Sequence, residues 1–536
     1  MSTQPEAPSL EFLRKRAKDL LRAARRGETA ALSRLRDVPR LRGLSADELG
    51  LEARLADAQH AVAREQGSVS WTKLLVEIDG RQPLGVHADQ FLAAVRENDR
   101  RAAERVLERW PAAADVDLWS ACAAGRDWRV GELLAGGVAA TAPHGEAGWQ
   151  PILYASGSPL HRVSPEIASG IRRSVELLLA AGADPNAYTL YDGDSAKSKL
   201  SALFRACYAG NAAVVRLLLE HGAQPNDGES MYHAAEFDHR ECLEVLLEHG
   251  GDPSGRQEPY GNTPLYFLSG YKEFQPSCVS ATRGMQWLLE HGADPNVPSS
   301  VSAEVPLHQF ARLGRSREAA EMLLAHGARV DARGADGRTP YVLAVRNGNF
   351  EVAELLRERG GDVSVLSSGD EFLGACQMGD EAAARAVLER EPALLEALDE
   401  EDRAVFISAA EQGREAAVRL MAALGFDLAR ERAGGGTALH AAAWAGLPGM
   451  VCVLIELGAP VLLRDGTFGS APLGWAAHGS RHCRRADEDY CAVIDLLLAR
   501  GADRESSFNR WGAPPEALSS RRVAAHLRGR GFAPRS

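Results

Sequence analysis

The side chains best suited to chemistry are gathered in one stretch near the end of the chain. His478, His482, Cys483, Asp487 and Asp489 lie within twelve residues. Imidazole, thiolate and carboxylate groups are the usual ligands of transition metals. The sequence has no CxxC pair that would complete a zinc finger or a zinc ribbon. We therefore expect no metal site in this stretch.

Other chemical motifs are incomplete or missing from the sequence. Asp192-Gly193-Asp194-Ser195 begins like a calcium loop but lacks the rest of an EF-hand. The sequence contains no GxGxxG, Walker A, HExxH or GxSxG motif. We predict that the chain is not an enzyme, that it has no catalytic residues, and that it binds no cofactor or metal.

Many histidines and cysteines instead recur at equivalent positions. Four histidines follow similar leucine-rich phrases, at His221, His249, His291 and His326. A hydrogen-bonding or cationic side chain at a helix end satisfies the last carbonyl groups. Three cysteines share an Ala-Cys-x-x-Gly phrase, at Cys122, Cys207 and Cys376. Both patterns favour structural roles, at helix ends and in a packed core.

Charge and cysteine usage narrow the class of protein. The net charge of the 536 residues is -12, but residues 1–43 hold eleven Lys or Arg and five Asp or Glu, a net charge of +6. The eight cysteines form no CxxC pair, and no run of about 18 apolar residues exists. We expect a reduced cytoplasmic location, no membrane span, and folding without metal or disulfide. Only six of the 61 basic residues are Lys, a composition that suggests a bacterial genome.

Two phrases recur along most of the chain. One is Leu217-Leu218-Leu219-Glu220-His221-Gly222-Ala223. A second copy covers residues 287–293, where Gly292 is the equivalent of Gly222. Two further copies end at Gly327 and Gly360, which are 33 residues apart. The other is Gly261-Asn262-Thr263-Pro264-Leu265, which returns as Gly337-Arg338-Thr339-Pro340-Tyr341. The interval from Leu203 to Leu217 is 14 residues, and the same interval recurs in several repeats. Repetition at a fixed period indicates a solenoid.

The residue types within each repeat predict a pair of helices. Thr263 and Thr339 can cap a helix, and the prolines after them suit its first turn. Gly222, Gly292 and Gly327 suit the left-handed position that ends a second helix.

This pattern resembles the ankyrin repeat, with its TPLH-like turn, its GAD-like helix end and its 33-residue period. The resemblance spans residues 88–505 and implies an all-α solenoid of stacked helix-turn-helix repeats with short hairpin fingers. His308 and His440 fill the last place of the TPLH-like phrase. We count about twelve repeats, four of them degenerate. They begin near Asp89, Asp117, Gly148, Leu200, Glu229, Gly261, Ala303, Asp336, Gly369, Glu401, Gly435 and Gly469.

The regions outside the array also have predicted structures. Residues 1–80 resemble the helical leader of some bacterial ankyrin arrays. Within them, apolar residues such as Leu13, Ala17 and Leu20 have helical spacing, and basic residues cover the other side. Residues 506–536 should form a polar end cap with a helix near Glu516 to Arg528.

Insertions distinguish this chain from a regular array. Residues 157–170, 269–282 and 478–490 add length between two helices and are expected to be loops at one edge of the solenoid. Residues 188–199 should lengthen a hairpin finger at the other edge. One explanation of such loops is tolerated sequence drift, because long loops cost little stability. The other is partner binding, because loops often carry binding residues.

The resemblance implies a protein-interaction scaffold, with a possible regulatory role, that binds unidentified proteins through its fingers and concave face. On that basis the candidate contacts are Tyr188, Tyr191, Gln257, Tyr260 and Arg338, because Tyr and Arg are enriched at binding hot spots. The alternative is a nucleic-acid-associated regulator that acts through the basic N-terminal helix. We expect any such binding to be weak and confined to residues 1–43. An undetected enzyme ranks last.

Overall fold

A computed structural model describes residues 10–71, 73–74, 83–145, 148–191, 198–256, 261–272, 275, 277–483 and 486–532. These residues form two compact units. One comprises residues 10–94 and 101–117, and the other comprises residues 95–100 and 118–532. Along the described part of the chain, no helix combines the length and the apolar character needed to cross a bilayer.

The first unit contains a small helical bundle. Its helices are Leu10–Arg25 (α1), Thr29–Arg36 (α2), Ala46–Glu52 (α3) and Leu55–Glu65 (α4), followed by Leu84–Arg96 (α5) and Arg100–Arg109 (α6) near its boundary with the second unit. Leu13 and Leu20 of α1 are buried in the core of the bundle, whereas Arg14, Lys15 and Arg22 are exposed. Helix α1 therefore has the apolar and basic faces that its sequence predicts.

The second unit is an array of helix pairs. Its helices are Leu118–Ala123 (α7), Asp127–Ala135 (α8), Pro151–Ser156 (α9), Pro165–Ala180 (α10), Ala202–Ala209 (α11), Ala212–Glu220 (α12), Ser230–Glu236 (α13), Arg240–Glu248 (α14), Pro264–Ser269 (α15), Cys278–Glu290 (α16), Pro306–Leu313 (α17), Arg317–Ala325 (α18), Pro340–Arg346 (α19), Phe350–Glu358 (α20), Ser368–Met378 (α21), Glu381–Arg390 (α22), Leu394–Ala397 (α23), Glu400–Glu411 (α24), Glu415–Ala423 (α25), Ala438–Trp444 (α26), Pro448–Glu456 (α27), Pro472–His482 (α28), Asp487–Ala499 (α29), Pro515–Leu518 (α30) and Arg521–Gly529 (α31).

The helix pairs stack in two layers. First helices pack on first helices, as in α17 on α19 and α26 on α28, and second helices pack on second helices, as in α12 on α14. We call the surface formed by the first helices the inner face. Each repeat thus buries its apolar side chains against its neighbours, as expected for a solenoid. The predicted all-α repeat solenoid is confirmed.

The predicted helix ends are also confirmed. The Thr263 hydroxyl accepts a hydrogen bond from the Tyr266 N–H at 3.2 Å and so caps α15. Thr339 caps α19 in the same way. Gly222 and Gly292, which follow second helices, both have φ of +92°, a conformation that glycine adopts without a Cβ clash.

The four recurrent histidines make the contact predicted for them. In each, Nδ1 lies near the carbonyl oxygen four residues earlier. The distance is 2.8 Å in His221, 2.9 Å in His249, 2.7 Å in His291 and 2.9 Å in His326. Their structural role at helix ends is therefore confirmed.

The histidines of the TPLH-like phrase join neighbouring repeats. His440 Nδ1 accepts from the Thr437 N–H at 3.2 Å, and its Nε2 lies 3.0 Å from the Ser470 carbonyl oxygen in the next repeat. His308 Nε2 similarly lies 3.2 Å from the Arg338 carbonyl oxygen. Burial lowers the pKa of both histidines, that of His440 to about 4.

The degenerate repeats form helix pairs without the Thr-Pro turn. The Ser367 hydroxyl accepts from the Asp370 N–H at 3.2 Å and caps α21, and the Asp399 carboxylate accepts from the Asp402 N–H at 2.7 Å and caps α24. These capping boxes satisfy backbone N–H groups at the start of the helix. In the regular repeats, the Thr hydroxyl of the Thr-Pro turn accepts that hydrogen bond.

The structure corrects the prediction for the inserted stretches. Most of their residues are helical rather than looped: α10 has 16 residues and α16 and α29 have 13 each, compared with 9 in the regular helix α12. For α10, Ser164 caps a new start and Pro165 occupies the first turn. Residues 165–170, 278–282 and 487–490 therefore extend second helices, whereas residues 478–482 extend the first helix α28.

The predicted terminal helix is also divided. Ser519 and Ser520 separate α30 from α31. The Ser520 hydroxyl caps α31, and the Ser520 N–H donates to the Ser480 hydroxyl at 2.9 Å. Val523 and Leu527 of α31 are buried in the core of the last repeats.

Candidate interaction surface

The inserted finger forms a short β-hairpin. Strand β1, Tyr188–Leu190, pairs antiparallel with strand β2, Lys199–Ser201. Because side chains alternate along a strand, Thr189 points into the array while Tyr188 and Leu190 face solvent. The predicted lengthening of this finger is confirmed.

Three apolar side chains project from the hairpin. Tyr188 is 47% exposed, Leu190 49% and Tyr191 52%. Lys199 Nζ lies 4.9 Å from the centre of the Tyr188 ring, a distance typical of a cation–π contact. The described part of the finger therefore presents exposed apolar side chains beside a basic one.

The other predicted contacts differ in their surroundings. Gln257 and Tyr260 lie outside the described residues. Arg338 donates to Asp336 at 3.1 Å, to Glu401 at 3.2 Å and to Asp402 at 3.3 Å. Arg338 is thus held by contacts within the array, and part of its side chain remains exposed to solvent.

This charged cluster links successive repeats. Arg346 of α19 is buried; it donates to Asp370 of α21 at 2.6 Å and also to Asp402 of α24. A guanidinium group suits this task because its planar donors can serve two carboxylates at once.

The segment after α15 is fixed by a buried arginine. Arg315 is 1% exposed, and it donates to the Tyr271 carbonyl at 2.9 Å and to the Thr282 hydroxyl at 2.7 Å. The Tyr271 hydroxyl in turn donates to Glu236 of α13. These bonds determine where the next residue, Lys272, lies.

Lys272 reaches a repeat that is distant in sequence. Its Nζ lies 2.5 Å from the Glu411 carboxylate at the end of α24, and Arg432 Nη1 lies 3.2 Å from the same group. Burial opposes the charge on Glu411, but Lys272 and Arg432 together lower its pKa. Lys272 thus extends from the segment after α15 to the end of α24, a contact that the spacing of the repeats does not predict.

Two cavities adjoin this contact. The first, which we call the basic cavity, has a volume of about 880 Å³. Its walls include Lys272, Arg312, Arg346, Arg414 and Arg432 together with Glu351, Glu401 and Glu411. It lies between α17, α19 and α24, where these first helices turn towards their second helices.

The second, which we call the tryptophan cavity, has a volume of about 520 Å³. Its apolar wall comprises Trp444, Trp475, Trp511, Phe468 and Leu518. Lys272, Glu411 and Arg432 line both cavities, so the two adjoin. We refer to them together as the cleft. Burial and the neighbouring His482 lower the pKa of His478, another wall residue, to about 4.

Family models for ankyrin repeats match several parts of the chain. The model for "Ankyrin repeats (3 copies)" matches residues 160–257 and 278–366, and the model for "Ankyrin repeat" matches residues 434–466. The solved structure of the human ASB11 ankyrin repeat domain is 27% identical and covers 46% of this chain and 98% of its own, with a TM-score of 0.35.

Two curated relatives match smaller parts of the chain. Human cyclin-dependent kinase inhibitor 2A is 32% identical over 169 residues, which are 32% of this chain and 83% of that protein. Cyclin-dependent kinase 4 inhibitor B of Bos taurus is 37% identical over 93 residues, which are 17% of this chain and 70% of that protein. The repeats, their stacking and these matches show that the chain belongs to the ankyrin-repeat family.

Proposed function

We propose that this chain is a protein-interaction scaffold that binds its partner through the hairpin finger and the inner face. The observation that carries the proposal is the finger, where Tyr188, Leu190 and Tyr191 are about half exposed beside Lys199. An exposed tyrosine offers a large contact area with few rotamers to immobilise, as in many binding loops. Arg338 and the undescribed Gln257 and Tyr260 complete the set of contacts that we propose.

The relatives support a protein as the partner. Two of them are named as inhibitors of cyclin-dependent kinases, and ankyrin repeats generally mediate protein–protein interaction. We further propose a cytoplasmic location, because the eight cysteines are dispersed along the sequence and form no CxxC pair, and a bacterial-type source, because arginine greatly outnumbers lysine. The two relatives come from Homo sapiens and Bos taurus.

Affinity capture from the source cell, followed by mass spectrometry, tests this function. We expect one or more proteins to be retained by the full chain and to be lost when Tyr188 and Tyr191 are both replaced by alanine. Retention that does not change with these replacements, or with replacements in the inner face, would contradict the proposal.

The second candidate is nucleic-acid binding through the first unit. The exposed Arg14, Lys15 and Arg22 of α1 favour it, whereas Arg16 and Arg34 are both within 2.9 Å of Glu65. Deletion of residues 1–43 should abolish any retention of RNA or DNA. Salt-resistant binding by a chain that lacks this stretch would contradict that assignment, because phosphate contacts weaken with salt.

A further inference from the structure

The tryptophan cavity exposes apolar surface that a ligand would cover. Trp511 is 71% exposed and Phe468 40%. The wall beneath them is rigid, since the Trp475 indole N–H donates to Asp465 at 2.9 Å and the Trp444 and Trp475 rings meet at 77° with centres 6.1 Å apart. An aromatic side chain could make edge-to-face contacts with such rings.

The adjoining basic cavity has two places where nearby described carboxylates do not fully balance the positive charge. The Arg414 Nε donates to Gln412 at 2.8 Å, and no described carboxylate forms an ion pair with its guanidinium. Burial alone lowers the pKa of Arg414. Lys272 and Arg432 share the Glu411 carboxylate. A carboxylate from a ligand would therefore find donors at two places along the cleft.

The charges in the wall also discriminate among anions. Glu351, Glu401 and Glu411 line the basic cavity beside its arginines. Such a mixed wall repels a continuous phosphate backbone, but it accommodates a peptide whose few carboxylates face Arg414 and Lys272. The apolar cavity next to it suits the side chain of an aromatic residue in the same peptide.

We propose that the cleft is the docking site for an acidic peptide segment of the partner, with one aromatic side chain in the tryptophan cavity and the neighbouring carboxylates facing Arg414, Lys272 and Arg432. This rests on the proposed function, which it deepens by stating the chemistry of the partner.

The test uses the full chain and fluorescein-labelled peptides of the form Glu-Asp-Glu-Asp, followed by zero to five glycines and one phenylalanine. Fluorescence anisotropy should show that at least one of them binds at least tenfold tighter than the same peptide with serine in place of every acidic residue. Equal affinity of the acidic and serine peptides across the whole series would overturn the proposal. Binding of an oligothymidylate without binding of any peptide would overturn it in favour of nucleic acid.

Two variants locate the peptide in the cleft. Arg414→Glu should weaken binding at least tenfold, and Trp511→Ala at least fivefold. Arg385→Glu makes the same change of charge at an exposed site on α22, and Trp128→Ala removes an exposed indole from α8; both should leave the affinity within twofold. Trp511→Ala should not affect a peptide whose phenylalanine is replaced by alanine. If Trp511→Ala weakens both peptides equally, the phenylalanine does not occupy the tryptophan cavity.

The same variants separate this inference from the proposed function. A captured partner whose binding depends on Tyr188 and Tyr191 but is unchanged by Arg414→Glu and Trp511→Ala would overturn the cleft assignment and leave the scaffold function intact. Loss of partner binding in the cleft variants, with circular dichroism unchanged, would support both. Arg414→Gln provides a milder variant if Arg414→Glu fails to fold.

Discussion

The finger at residues 188–201 and the cleft are built in opposite ways. In the finger, the paired residues Leu190 and Lys199 are close in sequence, and the apolar side chains face solvent. In the cleft, Lys272 meets Glu411, 139 residues further along the chain. The exposed side chains of the finger can therefore change without disturbing the array, whereas changes in the cleft alter both the surface and the contacts that hold it. Substitutions of exposed finger residues should therefore affect binding alone, whereas substitutions in the cleft should affect both binding and stability.

The largest effect on stability is expected for Arg315→Ala. This change removes a buried guanidinium from the Tyr271 carbonyl and the Thr282 hydroxyl, and it should cost roughly 2–4 kcal/mol of local stability. Hydrogen exchange of peptides covering residues 264–282 should accelerate, while the finger keeps its protection. Arg385→Ala, at an exposed site, serves as the control. Unchanged exchange at 264–282 would show that Arg315 does not fix this segment.

A smaller loss is expected for Glu411→Gln. The change leaves Lys272 and Arg432 with a neutral acceptor, and it should cost about 2 kcal/mol, less than a fully buried pair because both cations are partly exposed. Glu400→Gln is the matched control, since the Glu400 side chain is 93% exposed. Hydrogen exchange around residues 400–414 measures both variants. Equal effects in the two would mean that the Lys272–Glu411 contact contributes nothing.

Acid should weaken the cleft side of the array more than the finger. The pKa of buried His440 is about 4, below its ordinary value of 6.5, so the unfolded state binds the proton more readily. The contribution of neutral His440 is therefore complete above pH 6.5 and is lost as the pH falls towards 4, by about 1–2 kcal/mol at pH 5. The finger strands contain no histidine.

Exchange corrected for its intrinsic pH dependence tests this titration. Residues 438–475 should lose protection between pH 7 and pH 5, and His440→Gln should reduce that loss. His326→Gln, at an exposed helix end, should leave it unchanged. A loss of the same size in the His440→Gln variant would assign the effect to other groups.

The smallest effect on stability, with a clear effect on binding, is expected in the finger. Replacing Tyr188 and Tyr191 by alanine should weaken binding of a captured partner by about 1–2 kcal/mol and change the melting temperature little, because both rings are half exposed. Replacing the exposed Val363 by alanine provides an apolar control elsewhere. Unchanged affinity in the tyrosine variant would move the interface away from the finger.

Sequence reasoning succeeded where a contact depends on neighbours in the chain. The caps at Thr263 and Thr339 and the histidine at position 221 follow from spacing within one repeat. Sequence reasoning failed for residues 478–490. The distance between the two repeated phrases shows that residues are inserted, but it does not show whether those residues are helical. The cleft does not follow from the sequence, because Lys272 and Glu411 are 139 residues apart and meet only in the folded array. Trp444 ends α26 and Trp475 lies in the first turn of α28, so tryptophan in two successive first helices is a sequence signal for the apolar wall.

The central claim is that the finger and the inner face contact a protein partner. Hydrogen–deuterium exchange of the full chain, with and without a captured partner, tests it most directly. We predict protection in peptides covering residues 186–201 and 400–414, with little change in the second helix α22. Protection confined to residues 10–65 or to the second helices, with both predicted regions unchanged, would contradict the account.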